Sequence, residues 1–179
     1  MSVMVALLRG INVGGSGILP MARLREIATS VGFTEVRTYI QSGNVVFAGR
    51  QRSTDAAAVA LRSAIVSSTG LDPQVIVRTR DELAAVVDAN PFLQRGDDPD
   101  HLHVMFLDED AEALIEGLDL RSRLPEEAIA IGRELYLQLP AGMGRSKLAT
   151  DLARRLGSTG TVRNWRTVTT LLGMARELA

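Results

Sequence analysis

The chain has no cysteine, and only 4% of its 179 residues are aromatic. The first absence excludes disulfides and thiolate chemistry and fits a reducing compartment. The second means that a core has to be assembled from Val, Leu, Ile and Ala. An excess of one charge is missing too: 20 Lys and Arg stand against 21 Asp and Glu, a net charge of -1, which argues against a strongly nucleic-acid-seeking surface. Long apolar runs are also lacking. Residues 3–8 stop at Arg9 with no basic residue ahead of them, too short for the core of a secretion signal and far too short for a membrane span. These absences predict a cytoplasmic chain with no membrane partner. What is present, 46% hydrophobic and 23% charged residues, is the composition of a globular protein, long enough for one domain or two small ones.

Hydrophobic spacing orders the elements. Residues 3–8 form a continuous apolar run, the pattern of a strand buried on both faces, followed by the glycine-rich loop of residues 9–17. Pro20 suits the first turn of a helix whose stripe is Leu24, Ile27, Ala28 and Val31, with Gly32 as its stop. Residues 36–40 and 44–48 alternate as strands about the short turn Gln41-Ser42-Gly43, where Gly supplies a positive φ. A helix over 54–68 ends near Gly70, and residues 74–78 form the next strand. Thr79-Arg80-Asp81-Glu82 has the spacing of a capping box, which predicts a short helix to about Asp88. Asn90-Pro91-Phe92 terminates it, and residues 94–99 read as a polar link. The order then restarts: a strand over 101–107, a helix over 110–118, a hairpin of 127–131 and 134–139, a helix over 146–156 burying Leu148, Ala149, Leu152, Ala153 and Leu156, and a short strand over 159–162. A final helix starts at about Asn164, with Val168, Leu171, Leu172, Ala175 and Leu178 on one face. Each half reads β-α-β-β-α-β followed by a helix. The fold class is therefore α+β, two ferredoxin-like subdomains in tandem, residues 1–93 and 94–179.

Five motifs stand out along this order: residues 6–15 (ALLRGINVGG), 39–47 (YIQSGNVVF), 90–92 (NPF), 144–148 (GRSKL) and 161–168 (TVRNWRTV). Together they resemble the domain-of-unknown-function family 1697, a group of mostly bacterial cytoplasmic proteins. The resemblance implies an α+β protein of two ferredoxin-like subdomains. It implies no reaction.

The densest polar stretch is residues 161–167, which hold two arginines, an amide, two hydroxyls and the sole tryptophan. Asn164 or Thr167 can cap the last helix, and the remaining first-turn amides lie at the positive end of its dipole beside Arg163 and Arg166, a place that attracts anions. The alternative is that these arginines pair with carboxylates and Trp165 anchors the core. Arg145 and Lys147 add cations at the start of the preceding helix, where Ser146 reads as a cap rather than a nucleophile, since adjacent residues project about 100° apart on a helix. A second candidate is the hairpin tip, where Gln41, Ser42 and Asn44 are neutral hydrogen-bonders; in an enzyme the loop of residues 9–17 and this tip would close a pocket, with Arg9, Asn12 or Lys147 supplying the chemistry. The loop lacks the spacing of a P-loop or a dinucleotide fingerprint, and turns choose Ser, Gly and Asn for their own reasons. His101 and His103 share a strand face but lack the further ligands a metal requires; Asp108, Glu109 and Asp110 read as helix-dipole partners. Residues 97–119 carry nine acidic side chains and no Lys or Arg, and residues 145–166 six Lys or Arg against Asp151 alone. The two stretches attract each other, face different partners, or are solvated faces.

Three functions fit these residues. The first is a binding module for a phosphate-bearing ligand, a nucleotide or single-stranded nucleic acid, with Arg145, Lys147, Arg163 and Arg166 on phosphates, Asn164 and Thr167 as hydrogen-bonders, and Trp165 stacked on a base or filling the core. The second is an enzyme acting on a small phosphorylated metabolite. The third is a structural or interaction protein. No cofactor or metal is called for, and no oligomeric state is implied.

Overall fold

The apolar run at the start of the chain becomes a central strand. In the computed structural model, which describes every residue except Ser16, Ser158 and Ala179, β1 (Ser2–Arg9) is paired on both edges. It lies antiparallel to β3 (Asn44–Gly49) and to β4 (Gln74–Thr79), while β2 (Thr34–Tyr39) pairs outside β3. The sheet order is β2-β3-β1-β4. A strand with neighbours on both edges and both faces covered has no polar side, which is why Met4 to Leu8 are all buried. Met4, Ala6 and Leu8 pack with Leu24, Ile27 and Ala28 of α1 (Met21–Ser30) and with Ala57, Leu61 and Ile65 of α2 (Thr54–Thr69). Phe33 stacks on Phe47 at 3.9 Å between ring centroids in the same core. Ser53 caps α2 by accepting from Ala56 N, and Gly70 closes it at φ 73°.

The same β-α-β-β-α-β order repeats in β5 (Leu102–Leu107), α5 (Glu112–Ile115), β6 (Glu127–Ile131), β7 (Glu134–Gln138), α6 (Lys147–Leu156) and β8 (Gly160–Asn164). Its antiparallel sheet is ordered β6-β7-β5-β8, matching the first position for position. Met105, Leu107, Leu135 and Leu137 form its helix-side core with Leu148, Ala149, Leu152 and Leu156. A helix follows each repeat, α3 (Arg80–Asp88) and α7 (Trp165–Glu177). The fold is mixed α+β with tandem ferredoxin-like halves. Two compact units emerge, Met1–Ala85 with Thr170–Ala179, and Val86–Thr169, so the division falls within α3 and α7.

Several sequence expectations are corrected. Asn90-Pro91-Phe92 does more than stop α3: the Asn90 side chain accepts from Phe92 N and Leu93 N and starts a further short helix, α4 (Pro91–Arg95), which runs into the first residues of the stretch read as a link. The helix expected over 110–118 is the single turn α5. Asp110 Oδ1 accepts from Glu112 N, Glu116 turns to ψ 128°, and Gly117 sits at φ 70°, so the chain leaves the helix after one turn although Leu114, Ile115 and Leu118 still pack on the core. His101 lies in a 3-10 turn, Pro99–His101, before β5 rather than in it, so the two histidines do not share a strand face. Ala153 is exposed, leaving Leu148, Ala149, Leu152 and Leu156 as the buried stripe of α6.

Candidate functional site

The glycine loop and the β2–β3 hairpin meet at one end of the first sheet, because Leu7 of β1 is opposite Asn44 at the start of β3. Their junction is held by Asn12. Its Nδ2 donates to Leu19 O at 2.9 Å and to Gln41 O at 2.8 Å, while its Oδ1 accepts from Leu19 N at 2.8 Å. The backbone adds Asn12 N to Gly17 O and Leu8 N to Gly43 O. Two glycines are required sterically: a Cβ on Gly17 would lie 2.7 Å from Gly10 O, and one on Gly43 would lie 2.7 Å from Leu8 Cβ. Asn44 is buried completely and its Nδ2 donates to Tyr39 O and Ser42 Oγ, so its amide shapes the hairpin from inside.

What this clasp presents outward is a strained rim. Asn12 and Ile40 adopt φ of 54° and 48°, and Gly10, Gly14, Gly15 and Gly17 are also positive. A left-handed Asn is tolerated, but a β-branched Ile there costs on the order of 1–3 kcal/mol. Around it Val13, Ile18 and Ile40 are exposed by 63%, 71% and 51%, Gln41 is exposed, and Arg9 and Ser42 are half-buried. Ser16 of this loop lies outside the described residues.

In the second unit the polar stretch is divided between fold and surface. Asn164 Oδ1 accepts from Thr167 N at 2.8 Å and caps α7. Thr167 is buried. Trp165 is 5% exposed; of its two expected roles, filling the core is the one its burial allows, and stacking on a ligand base is not. Arg163 is buried in β8, its Nη1 donating to Thr161 Oγ1 at 2.6 Å and Val162 O at 2.8 Å, and burial pushes its guanidinium down to about 10, still ionised at neutral pH. Ser146 is a buried cap that accepts from Ala149 N at 2.8 Å. Arg145, Lys147 and Arg166 remain exposed. They leave the same end of the second sheet, since β7 ends at Gln138 opposite Leu102 and β8 ends at Asn164 opposite His103. The first turn of α6 is already engaged with a carboxylate, however, as Leu148 N donates to Glu126 Oε2 at 3.0 Å.

The remaining expectations resolve locally. His103 is half-buried with its Nδ1 enclosed and unbonded, and burial pushes its imidazole below 6.5. Among the described residues no three His, Cys, Asp or Glu side chains cluster as metal ligands. The basic stretch touches the acidic one through Arg155, whose Nη1 donates to the carbonyls of Leu114 and Glu116. Sequence reasoning missed two residues. Glu126 gives no local signal, since it acts on an amide 22 residues away. Arg78 does give one: it is 2% exposed in β4 and its Nη1 donates to Val77 O, as Arg163 does to Val162 O, and Val77-Arg78 followed by the polar Thr79 parallels Val162-Arg163 followed by the polar Asn164.

These features define a class: a bipartite α+β protein of tandem ferredoxin-like halves, with a clasped glycine loop at one sheet end. The chain belongs to the family described as protein of unknown function, DUF1697, whose model matches residues 1–136. The conserved bacterial protein SP0830 from Streptococcus pneumoniae has a similar structure, with a TM-score of 0.81 at 21% identity over 98% of this chain and 99% of that one. At that identity the likeness is one of fold. No curated protein matches the chain in sequence. No helix among the described residues is long and apolar enough to cross a membrane.

Proposed function

We propose that this protein is a binding module for a phosphate-bearing ligand, and that the ligand meets the rim formed by residues 9–17 and Gln41-Ser42. The observation that carries the reading is that two of the three left-handed, non-glycine residues among those described, Asn12 and Ile40, sit on two loops clasped to each other. Strain that the surrounding structure holds in place on an exposed rim marks a surface shaped for a ligand. Phosphate is the chemistry favoured because φ alternates in sign over residues 10–14, positive at Gly10, Asn12 and Gly14 and not at Ile11 or Val13. Such alternation turns backbone N–H groups toward a common concave side. Arg9 supplies a cation next to it, and Gln41 and Ser42 supply neutral hydrogen-bonders. A start-of-last-helix site is the weaker location, because Asn164, Trp165, Thr167 and Arg163 serve the fold and only Arg166 projects from that turn. Single-stranded nucleic acid is the less favoured ligand: among the described residues the large exposed apolar side chains are all aliphatic or Met, and the one aromatic that is not buried, Tyr39, is half-buried, a poor platform for base stacking.

The test is an amide NMR titration of the uniformly labelled protein with inorganic phosphate, pyrophosphate and a nucleotide. Saturable shifts of Gly10, Gly14 and Gly15 that disappear in Arg9→Ala support the reading. Shifts confined to residues 164–167 move the site to the last helix, and no saturable shift with any of the three ligands removes the phosphate reading altogether.

A further inference from the structure

We infer that the phosphate met by this rim is attached to an aliphatic chain, so that the ligand is a phosphomonoester of an alkyl or isoprenyl alcohol. The inference rests on the phosphate reading above and adds to it the class of group that the phosphate bears. Three of the eight large apolar side chains exposed among the described residues, Val13, Ile18 and Ile40, belong to this one rim. They come from separate stretches of chain and are gathered by the Asn12 side chain. Val13 follows Asn12 itself. Ile18 precedes Leu19, whose carbonyl and amide Asn12 holds at 2.9 and 2.8 Å, and Ile40 precedes Gln41, whose carbonyl it holds at 2.8 Å. Exposed apolar residues scattered singly are ordinary, whereas apolar residues gathered beside polar groups mark a binding surface.

The occupant is anionic at one end. Residues 1–25 and 36–54, the two segments that carry these loops, contain six arginines and no Asp or Glu. The carboxylate on the neighbouring turn is Asp72, two residues before Gln74, which pairs with Arg9; it is already engaged by Arg62 through Nε at 2.6 Å and Nη2 at 2.8 Å. The same occupant is apolar beside that end. Gly10, Gly14 and Gly15 are exposed, and a Cβ added at any of them meets nothing within 4 Å, so bare backbone lies open next to the aliphatic side chains. A wholly apolar partner would cover that backbone and Arg9 without hydrogen bonds, which is unfavourable. Inorganic phosphate leaves the three aliphatic side chains in water, and a nucleotide brings a polar sugar to them. An aliphatic phosphomonoester satisfies both parts.

NMR titrations of the full chain with methyl, butyl and hexyl phosphate separate head from tail. A fully covered methylene contributes about fourfold in affinity, so two of them in the hexyl chain give about fifteenfold over methyl phosphate. The expected result is that the Gly10, Gly14 and Gly15 amides shift with each ligand and that affinity rises at least about tenfold from methyl to hexyl. Ile18→Gln lowers the hexyl affinity about threefold or more and leaves methyl phosphate unchanged, while Ile18→Leu keeps the gain; the side chain is exposed, so both variants fold. Cosedimentation with phosphatidylcholine vesicles containing phosphatidic acid assigns the phosphomonoester to a bilayer lipid, and hexyl phosphate binding without it assigns it to a free one; both keep the inference. Methyl and hexyl phosphate binding equally well overturns it and leaves the phosphate reading standing, whereas binding of neither removes both. A hexyl gain that survives Ile18→Gln places the chain elsewhere, and hexyltrimethylammonium binding as tightly as hexyl phosphate shows an apolar surface indifferent to charge; either result also overturns the inference.

Discussion

Replacing Asn12 tests whether the glycine loop is held by its clasp or merely lies beside it. Asn12→Ala removes three hydrogen bonds, two to the backbone of Leu19 and one to Gln41 O. At ~1 kcal/mol net for each, with the solvent-exposed bond to Gln41 contributing least, the loss is about 2 kcal/mol. The backbone adds to it. At φ 54° alanine is strained in a way asparagine is not, which costs about 1 kcal/mol more. Asn12→Gly removes the same three bonds but relaxes the left-handed strain, so the two variants separate the contributions: a total of about 3 kcal/mol for alanine and about 2 for glycine. Urea unfolding followed by circular dichroism measures both, as shifts in midpoint at constant slope. An alanine variant within ~0.5 kcal/mol of the parent refutes the clasp. An alanine variant no less stable than the glycine one refutes the strain.

Two further outcomes follow from burial. The His103 imidazole is held below 6.5 chiefly by desolvation. Above the unfolded value the neutral ring is present in both states and its contribution is intact; as pH falls through about 6.5 the unfolded chain takes up the proton first, and stability is lost until the folded value is passed. Ring-proton NMR should place its midpoint under 6.5, and His103→Gln should flatten stability over that acid range; a midpoint at or above 6.5 refutes the desolvation argument. Trp165, 5% exposed, should resist acrylamide quenching, and Trp165→Ala should cost about 3–5 kcal/mol in unfolding experiments. Quenching like that of a free indole would return it to the surface.

Most of the fold was legible because its signals are local. The apolar run ending at Arg9, the Thr79–Glu82 capping box, whose reciprocal bonds form at 2.8 and 3.1 Å, and the glycine stops at Gly32 and Gly70 each act over a few residues. The misread elements failed for the same reason in reverse. The spacing of Ala111, Leu114, Ile115 and Leu118 fits a helix of nine residues, but Gly117 interrupts it and the same side chains reach the core from a turn. Asn90 reads as a breaker when only α3 is considered; its carbonyl oxygen capping Phe92 N and Leu93 N makes it a start. The candidate sites were legible only as clusters of residue types. Side chains that bind a ligand and side chains that satisfy a turn are the same ones, Asn, Ser and Gln, and burial separates them: Asn44 and Ser146 lie inside, Gln41 outside.

The strand-to-helix junctions carry the deepest regularity, and it accounts for Arg163, one of the arginines that first suggested an anion site. In each repeat the last strand presents a buried arginine, Arg78 or Arg163, whose Nη1 returns to the carbonyl just before it. The next residue caps the following helix, Thr79 accepting from Glu82 N and Asn164 from Thr167 N, three residues on in both cases. Then come buried apolar positions in register, Leu83 and Val86 in one helix, Val168 and Leu171 in the other. A motif whose parts recur with the same geometry in both halves is explained by what the halves share, which is the fold. A ligand contact has no reason to repeat in that way. The clasped loop does not repeat: the loop after β5 runs Asp108-Glu109-Asp110 and has neither glycine nor a counterpart of Asn12. Specific function is therefore sought where the two halves differ, at the rim of Arg9, Asn12 and Gln41, rather than where they agree.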